Sequence, residues 1–354
     1  MTNVHNRTLL ASAFLQGTLT LFFLSTFLVT SAGGQAQRSG QSKQTQQTRP
    51  RTSPPASQQP SVPGATPIQG DDEEVVRVTS NLVVVPVSVT DATGQPVQGL
   101  TINDFRLEEE GRTQQIAQIG DPDQVPLEIA LLLDVSSSVG ARFAFEKEAA
   151  SRFLKEVLKP VDRASIFAID TKPRLVEARN TAEQATQKLL AFEPAKGLTA
   201  FYDTVVEAAK YLITTTPPRH RRVIVVISDG EDTYSEKHKN VAAALPEVQR
   251  ADVVFYAINP SGQSLWLNKI STRGQEGMQQ LATATGGTAF VPNVSDDLNA
   301  VFSQIANELR SQYLLQYYPS TNAPASKFLR IAVKVPARSE LRVRARQGYY
   351  SPQK

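Results

Sequence analysis

Residues 127–140 read "LEIALLLDVSSSVG". The first seven positions are the aliphatic run that a sheet core needs. Such a run ordinarily gives way to Gly, Pro or Asn at a turn. Here it gives way to one aspartate and three serines. Four more runs of this kind follow: "ASIFAID" (164–170), "RRVIVVISD" (221–229), "DVVFYAIN" (252–259) and "GTAFVP" (287–292). Strands that read as unbroken aliphatic runs are buried on both faces, as parallel strands are. Helical patterns separate them, over 143–158, 182–192, 200–214, 237–249, 277–285 and 296–309. "RLVEAR" (174–179) reads as a short edge strand. Alternating strands and helices imply right-handed crossovers and an α/β fold with a doubly wound, mostly parallel, Rossmann-like sheet.

The segments on either side of this middle region follow a different rule. "VVRVTSNLVVVPVSVTDATGQPVQGL" (75–100) alternates β-branched residues and turns at 91–96, and "FRLEEEGRTQQIAQI" (105–119) turns at Gly111. Beyond residue 310, "SQYLLQYY", "KFLRIAVKV" and "ELRVRARQGYY" are three more strand-like runs. Neither group makes a core alone, so the expectation is one small discontinuous antiparallel β domain, with 75–125 as its first part and 311–354 as its second. The middle domain then spans 126–310. In the last run Arg342, Arg344 and Arg346 alternate with Leu341, Val343 and Ala345, which reads as a strand with one solvated face. Tyr349 and Tyr350 read as the edge of the β core.

The N-terminus reads as a targeting segment over 1–36. Arg7 precedes an apolar run over 9–32, and small residues follow, with Ala32 and Ala36 as candidate cleavage positions. Uncleaved, the same run would serve as a membrane tether. Residues 37–74 are Gln-, Ser-, Thr- and Pro-rich and close on "DDEE", a composition that cannot offset its own ordering entropy and reads as a disordered linker. The rest of the chain is therefore expected to be exported: periplasmic, cell-surface or secreted. The chain has no cysteine, so stability there must come from packing or bound metal. Lys and Arg number 37 against 34 Asp and Glu, a net charge of +3, too small to argue for a nucleic-acid partner.

Oxygen-bearing residues gather where the strands of the middle domain end, the place where doubly wound sheets keep their functional groups. "DVSSS" carries Asp134, Ser136 and Ser138 at i, i+2 and i+4. "KGLTAFYD" (196–203) carries Thr199 just before a helix. "ISDGED" (227–232) carries Asp229 directly after a strand. All are hydroxyls and carboxylates with no His or Cys, which suits Mg2+ or Mn2+ and suits Ca2+ less well. Taken singly, Ser138 and Thr199 read equally as helix caps. Asp203 reads as a first-turn carboxylate, and Glu231 and Asp232 as solvated. Trp266 reads either as a rim anchor for a partner or as packing. The three histidines form no catalytic or metal-binding spacing. An enzyme is not expected, and no catalytic residue is assigned. A phosphatase of the haloacid dehalogenase type needs an Asp where Ser136 stands, no G-x-S-x-G is present, and "AKGLT" is not a P-loop.

The set Asp134-x-Ser136-x-Ser138, Thr199 and Asp229 resembles the metal-ion-dependent adhesion site of von Willebrand factor type A domains, over about residues 126–310. The flanks "LVVVPVSVTDATGQPVQGLTINDF" and "YLLQYYPS…RVRARQGYYSP" are similar to VWFA-related exported proteins of Acidobacteria-type bacteria. Many relatives carry two glycines before the threonine, and here Leu198 takes the place of one, which would narrow the site. The resemblance implies hydroxyls near the ion and aspartates binding partly through water. The ion keeps an open position for an Asp or Glu carboxylate of a protein partner. It therefore implies a binding module, with a structural envelope scaffold as the alternative. Relatives can also shift their last helix when the ion gains a ligand.

Overall fold

The computed structural model describes residues 82–136, 142–194, 197–262, 269–292, 298–320 and 323–352. These belong to one compact unit, Val75–Lys354. The N-terminal segment, the linker, Ser138 and Trp266 lie outside the described residues.

The chain enters through β1 (Val83–Thr90), β2 (Arg106–Glu109), β3 (Arg112–Gln114) and β4 (Ile116–Gly120). The middle region follows as β5 (Leu127–Asp134), α1 (Phe143–Val157), β6 (Arg163–Ile169), β7 (Arg174–Asn180), α2 (Ala182–Ala191) and α3 (Phe201–Thr215). It continues with β8 (Arg221–Ile227), α4 (Val241–Arg250), β9 (Val253–Ile258), α5 (Lys269–Thr285), β10 (Ala289–Phe290) and α6 (Leu298–Ser311). The chain closes with β11 (Tyr313–Tyr317), β12 (Phe328–Lys334), β13 (Arg342–Ala345) and β14 (Gly348–Tyr350).

The central sheet has the order β10-β9-β8-β5-β6-β7, parallel throughout except for the antiparallel edge strand β7. Every residue of β5 is buried. One face packs against α1, α2 and α6, with Phe153, Leu154, Phe302 and Ile305 among its core, and the other packs against α3, α4 and α5. This is the doubly wound α/β sheet expected from the aliphatic runs. The chain moves outward from β5 to β6 and then returns to β8 on the other side, so the strand order reverses between β5 and β8.

The flanking strands form two four-stranded antiparallel sheets, β13-β1-β11-β4 and β14-β12-β2-β3. They share a core in which Val85, Val87 and Val89 of β1 meet Leu107, Leu315, Tyr317 and Tyr349. Both segments are needed, because the strands that pair with β1 are C-terminal: Val83 pairs with Tyr317 and Val87 with both Tyr313 and Ala345. Tyr349 lies on the edge strand β14, as its place in the sequence suggests.

Of the three C-terminal arginines only Arg342 is exposed as alternation implies; Arg344 and Arg346 are not solvated. Arg344 forms an ion pair with Glu308 of α6, whose side chain is 1% exposed. Arg346 pairs with Asp252 and donates to the Val84 carbonyl at 2.9 Å. The exposed face of a strand was assumed to meet water, but this one meets the α/β region. Two helices also start elsewhere than their patterns indicate. Helix α5 begins eight residues before 277, because its glycines mask the periodicity. Helix α4 begins at Val241, where the Asn240 side chain accepts from Ala243 N–H at 3.0 Å. Among the described residues, no helix is long and apolar enough to cross a membrane.

Candidate metal centre

The register of the central sheet places the site. The last pair between β5 and β8 is Leu133 with Ile227, so Asp134 and Ser228 emerge side by side where the strand order reverses. The Ser228 hydroxyl donates to Asp134 Oδ2 at 2.8 Å and accepts from Gly230 N–H at 3.0 Å. Asp134 Oδ1 accepts from Ser136 N–H at 2.9 Å, turning the chain away from the strand. Asp229 Oδ1 likewise accepts from Glu231 N–H at 3.0 Å. Both aspartates line one small cavity, together with Arg142, Glu146, Ser228, Pro260 and Ser261.

Thr199 is buried and does not line this cavity, but its backbone is tied to the segment that follows Asp229. Its N–H donates to Thr233 Oγ1 at 2.9 Å, and its carbonyl accepts from Thr233 and Tyr234 N–H. The second loop is thereby laced to the one that carries Asp229. Its other end is held at β6, where Ala200 N–H donates to the Asp170 carbonyl. Gly197 lies so close to Asp170 that a Cβ would stand 2.4 Å from its carboxylate, which explains a glycine there. Leu198 is 51% exposed and does not line the cavity, so it does not narrow it.

Thr199 does not cap α3. The N-cap is Ala200, which offers no side-chain bond, and Asp232 supplies the cap from the neighbouring loop by accepting from Phe201 N–H at 2.8 Å. Asp232 is thus half-buried and structural rather than solvated. Glu231 is also engaged, accepting from the Ser271 hydroxyl. Asp203 pins the segment after the site, accepting from the N–H groups of Glu236, Lys237 and His238. His238 and His220 each pair with a single carboxylate, Asp203 and Glu128. Among the described residues, no group of three or more His, Asp or Glu side chains forms a metal cluster of its own, so the hydroxyls matter.

Sequence reasoning missed Glu146. The buried stripe of α1 contains Phe143, Glu146, Lys147, Ala150, Phe153, Leu154 and Val157, so two charged residues lie on the apolar face. That mismatch was the available signal. Lys147 is accounted for by the end of α2, since its ammonium donates to the carbonyls of Leu190 and Phe192. Glu146 is 1% exposed, and neither carboxyl oxygen has a hydrogen-bond partner among the described residues. Burial, with the charges of Asp134 and Asp229 adding to it, pushes Glu146 up to about 7, against a smaller opposing effect of Arg142. Burial raises Asp229 to about 6 and holds Asp134 above the usual carboxylate range. Three carboxyl groups at one cavity, all driven toward protonation, form a site short of positive charge.

The family model for the von Willebrand factor type A domain matches residues 129–231. Among solved structures, BatB from Bacteroides thetaiotaomicron is similar at 21% identity and TM-score 0.38, covering 51% of this chain and 98% of that one. An aerotolerance-related membrane protein from Bacteroides fragilis NCTC 9343 is similar at 21% identity and TM-score 0.40, covering 52% and 98%. A von Willebrand factor type A protein from Catenulispora acidiphila is similar at 13% identity and TM-score 0.44, covering 66% of this chain and 51% of that one. Comparison with curated proteins gives no match.

Proposed function

We infer that this chain, which carries a von Willebrand factor type A domain, is an exported binding module that recognises a protein partner through a divalent ion. The observation that carries the reading is the convergence of Asp134 and Asp229 on one cavity where the sheet changes direction. The donor chemistry fits a hard cation. Asp134 and Asp229 would supply carboxylates, and Ser136, Ser138 and Thr199 would supply hydroxyls. When bound, Mg2+ or Mn2+ supplies an electrophilic position that an Asp or Glu of a partner fills.

The chain's own residues then have separable tasks. Ser228 orients the Asp134 carboxylate, Thr233 holds the Thr199 backbone, and Asp232 fixes the start of α3 beneath the second loop. The N-terminal segment would hold the module at the membrane or be removed on export.

The test is capture from an envelope extract in Mg2+ and again in EDTA, with Asp134→Ala beside the native protein. Metal-dependent capture that Asp134→Ala abolishes is expected. Capture that is equal in EDTA would overturn the reading and leave a scaffold. Thermal unfolding gives a direct check: an ion at about a hundred times its Kd should stabilise the native protein by about 2.7 kcal/mol. Asp134→Ala should show no such gain.

A further inference from the structure

We propose that Glu146 is a third carboxylate of the metal centre, holding one of the ion's waters from the α1 side of the cavity, because the three carboxylates line one cavity without forming a cluster that could all ligate one ion directly. The proposal rests on the metal reading above and adds to it a residue outside the D-x-S-x-S, Thr and Asp set. Three observations converge on it. Glu146 lines the same cavity as Asp134 and Asp229. It is 1% exposed, and both its oxygens lack partners among the described residues, although a buried carboxyl is among the most costly groups to leave unsatisfied. Its neighbour Lys147, on the same stripe, is fully engaged elsewhere, so the charge on this face of α1 is not a general feature of the helix.

The alternative partner would be Arg142, which lines the same cavity. Its guanidinium is directed to the Pro260 carbonyl at 3.0 Å and the Ser261 hydroxyl at 3.5 Å, and it makes no hydrogen bond with Glu146. Among the described residues, neither oxygen of Glu146 is used to hold the protein fold together. Asp134 differs: both its oxygens already accept bonds, from Ser136 and Ser228. An ion at this cavity would find its least committed carboxylate in Glu146. Counting Glu146 makes the site's own charge −3 with the two aspartates, and Arg142 returns one unit. The site would then keep its ion when no partner is bound, instead of depending on the partner's carboxylate to retain it.

The experiment is calorimetric titration of Mg2+ and Mn2+ into the native protein, Glu146→Gln and Asp134→Ala, with metal-free melting recorded for each. Glu146→Gln keeps the size of the side chain and removes its charge. The expected result is about a ten- to hundredfold weaker Kd, the cost typical of removing a group that supports a metal's ligands. Its metal-free melting temperature should be no lower than that of the native protein. A Kd equal to the native value would overturn the proposal and leave the metal reading standing. Absence of binding by the native protein would overturn both. Should Glu146→Gln fail to fold, Glu146→Asp, which keeps the charge and withdraws it by one methylene, takes its place. A weakened Kd in that variant supports the role, and an unchanged one overturns it.

Discussion

A buried carboxyl group makes stability depend on pH, and Glu146, which has no hydrogen-bond partner among the described residues, is such a group. Its folded-state value of about 7 lies above the ordinary 4.5, so the folded, metal-free protein binds the proton more tightly than the unfolded chain does. The resulting stability is complete below about pH 4.5 and is lost as pH rises through about 7. Asp229, raised to about 6, acts in the same direction. For Glu146 alone the loss is about 3 kcal/mol. Urea midpoints in EDTA should therefore fall between pH 5 and pH 8. Glu146→Gln should flatten the slope, and an unchanged slope in that variant would assign it to other groups. Ser228→Ala tests a neighbouring role. It leaves Asp134 Oδ2 without its donor and Gly230 N–H without its acceptor, at a cost of about 1–3 kcal/mol in denaturant unfolding.

At the scale of elements, the loop after β8 and helix α5 touch through glycines. A Cβ on Gly274 would stand 2.5 Å from the Gly230 carbonyl carbon and 2.8 Å from Glu231 N, and Gly230 itself has φ +76°. In an open helix, Gly→Ala stabilises by about 1 kcal/mol. Here Gly274→Ala should destabilise instead, because it pushes against backbone, and it should weaken ion binding by displacing the loop of Asp229. Melting and titration of this variant check both signs, and a stabilised protein with native affinity would refute the contact. These glycines also show where the sequence stops being legible. The five aliphatic runs located the central strands, because burial on both faces leaves an unambiguous pattern, and Asp134 and Asp229, which end two of them, fall at one cavity. The start of α5 was hidden because Gly274 and Gly277 serve close packing and not helix propensity. Glu231, Asp232, Arg344 and Arg346 were read as solvated because a hydropathy pattern records that a face is polar but not what is packed on it.

At the scale of the molecule, the sandwich of flanking strands and the α/β region are joined by charge in a buried setting. Arg344 of β13 meets Glu308 of α6, whose other oxygen accepts from the Tyr256 hydroxyl of β9 at 3.1 Å. Arg344→Met would leave Glu308 buried with only that phenol. The expected loss is about 3 kcal/mol, the lower end of the cost of breaking a buried ion pair. Helix α6 runs into β11 with Gln312 alone between them, and Gln312 is itself buried and donates to Ser88 of β1. The two regions should therefore unfold together. Calorimetry of the native protein should show one transition for the described unit, and two resolved transitions would contradict this coupling.

The pairing of β1 also sets an order of assembly. Val83 finds its partner at Tyr317 and Val89 at Val343, more than two hundred residues later in the chain. Contacts so distant in sequence form slowly, since the intervening loop must close first. During synthesis, "VVVPVSVT" is thus an aliphatic strand with both edges open until β11 and β13 have emerged. Pro86 interrupts it just before the stretch that β13 covers, at a point where one edge stays unpaired even in the finished fold. A proline there removes a donor from the open edge and makes the waiting strand a poor template for another chain. Closing the sandwich, whose strands emerge on either side of the α/β region, is the step at which this protein is most exposed to misassembly.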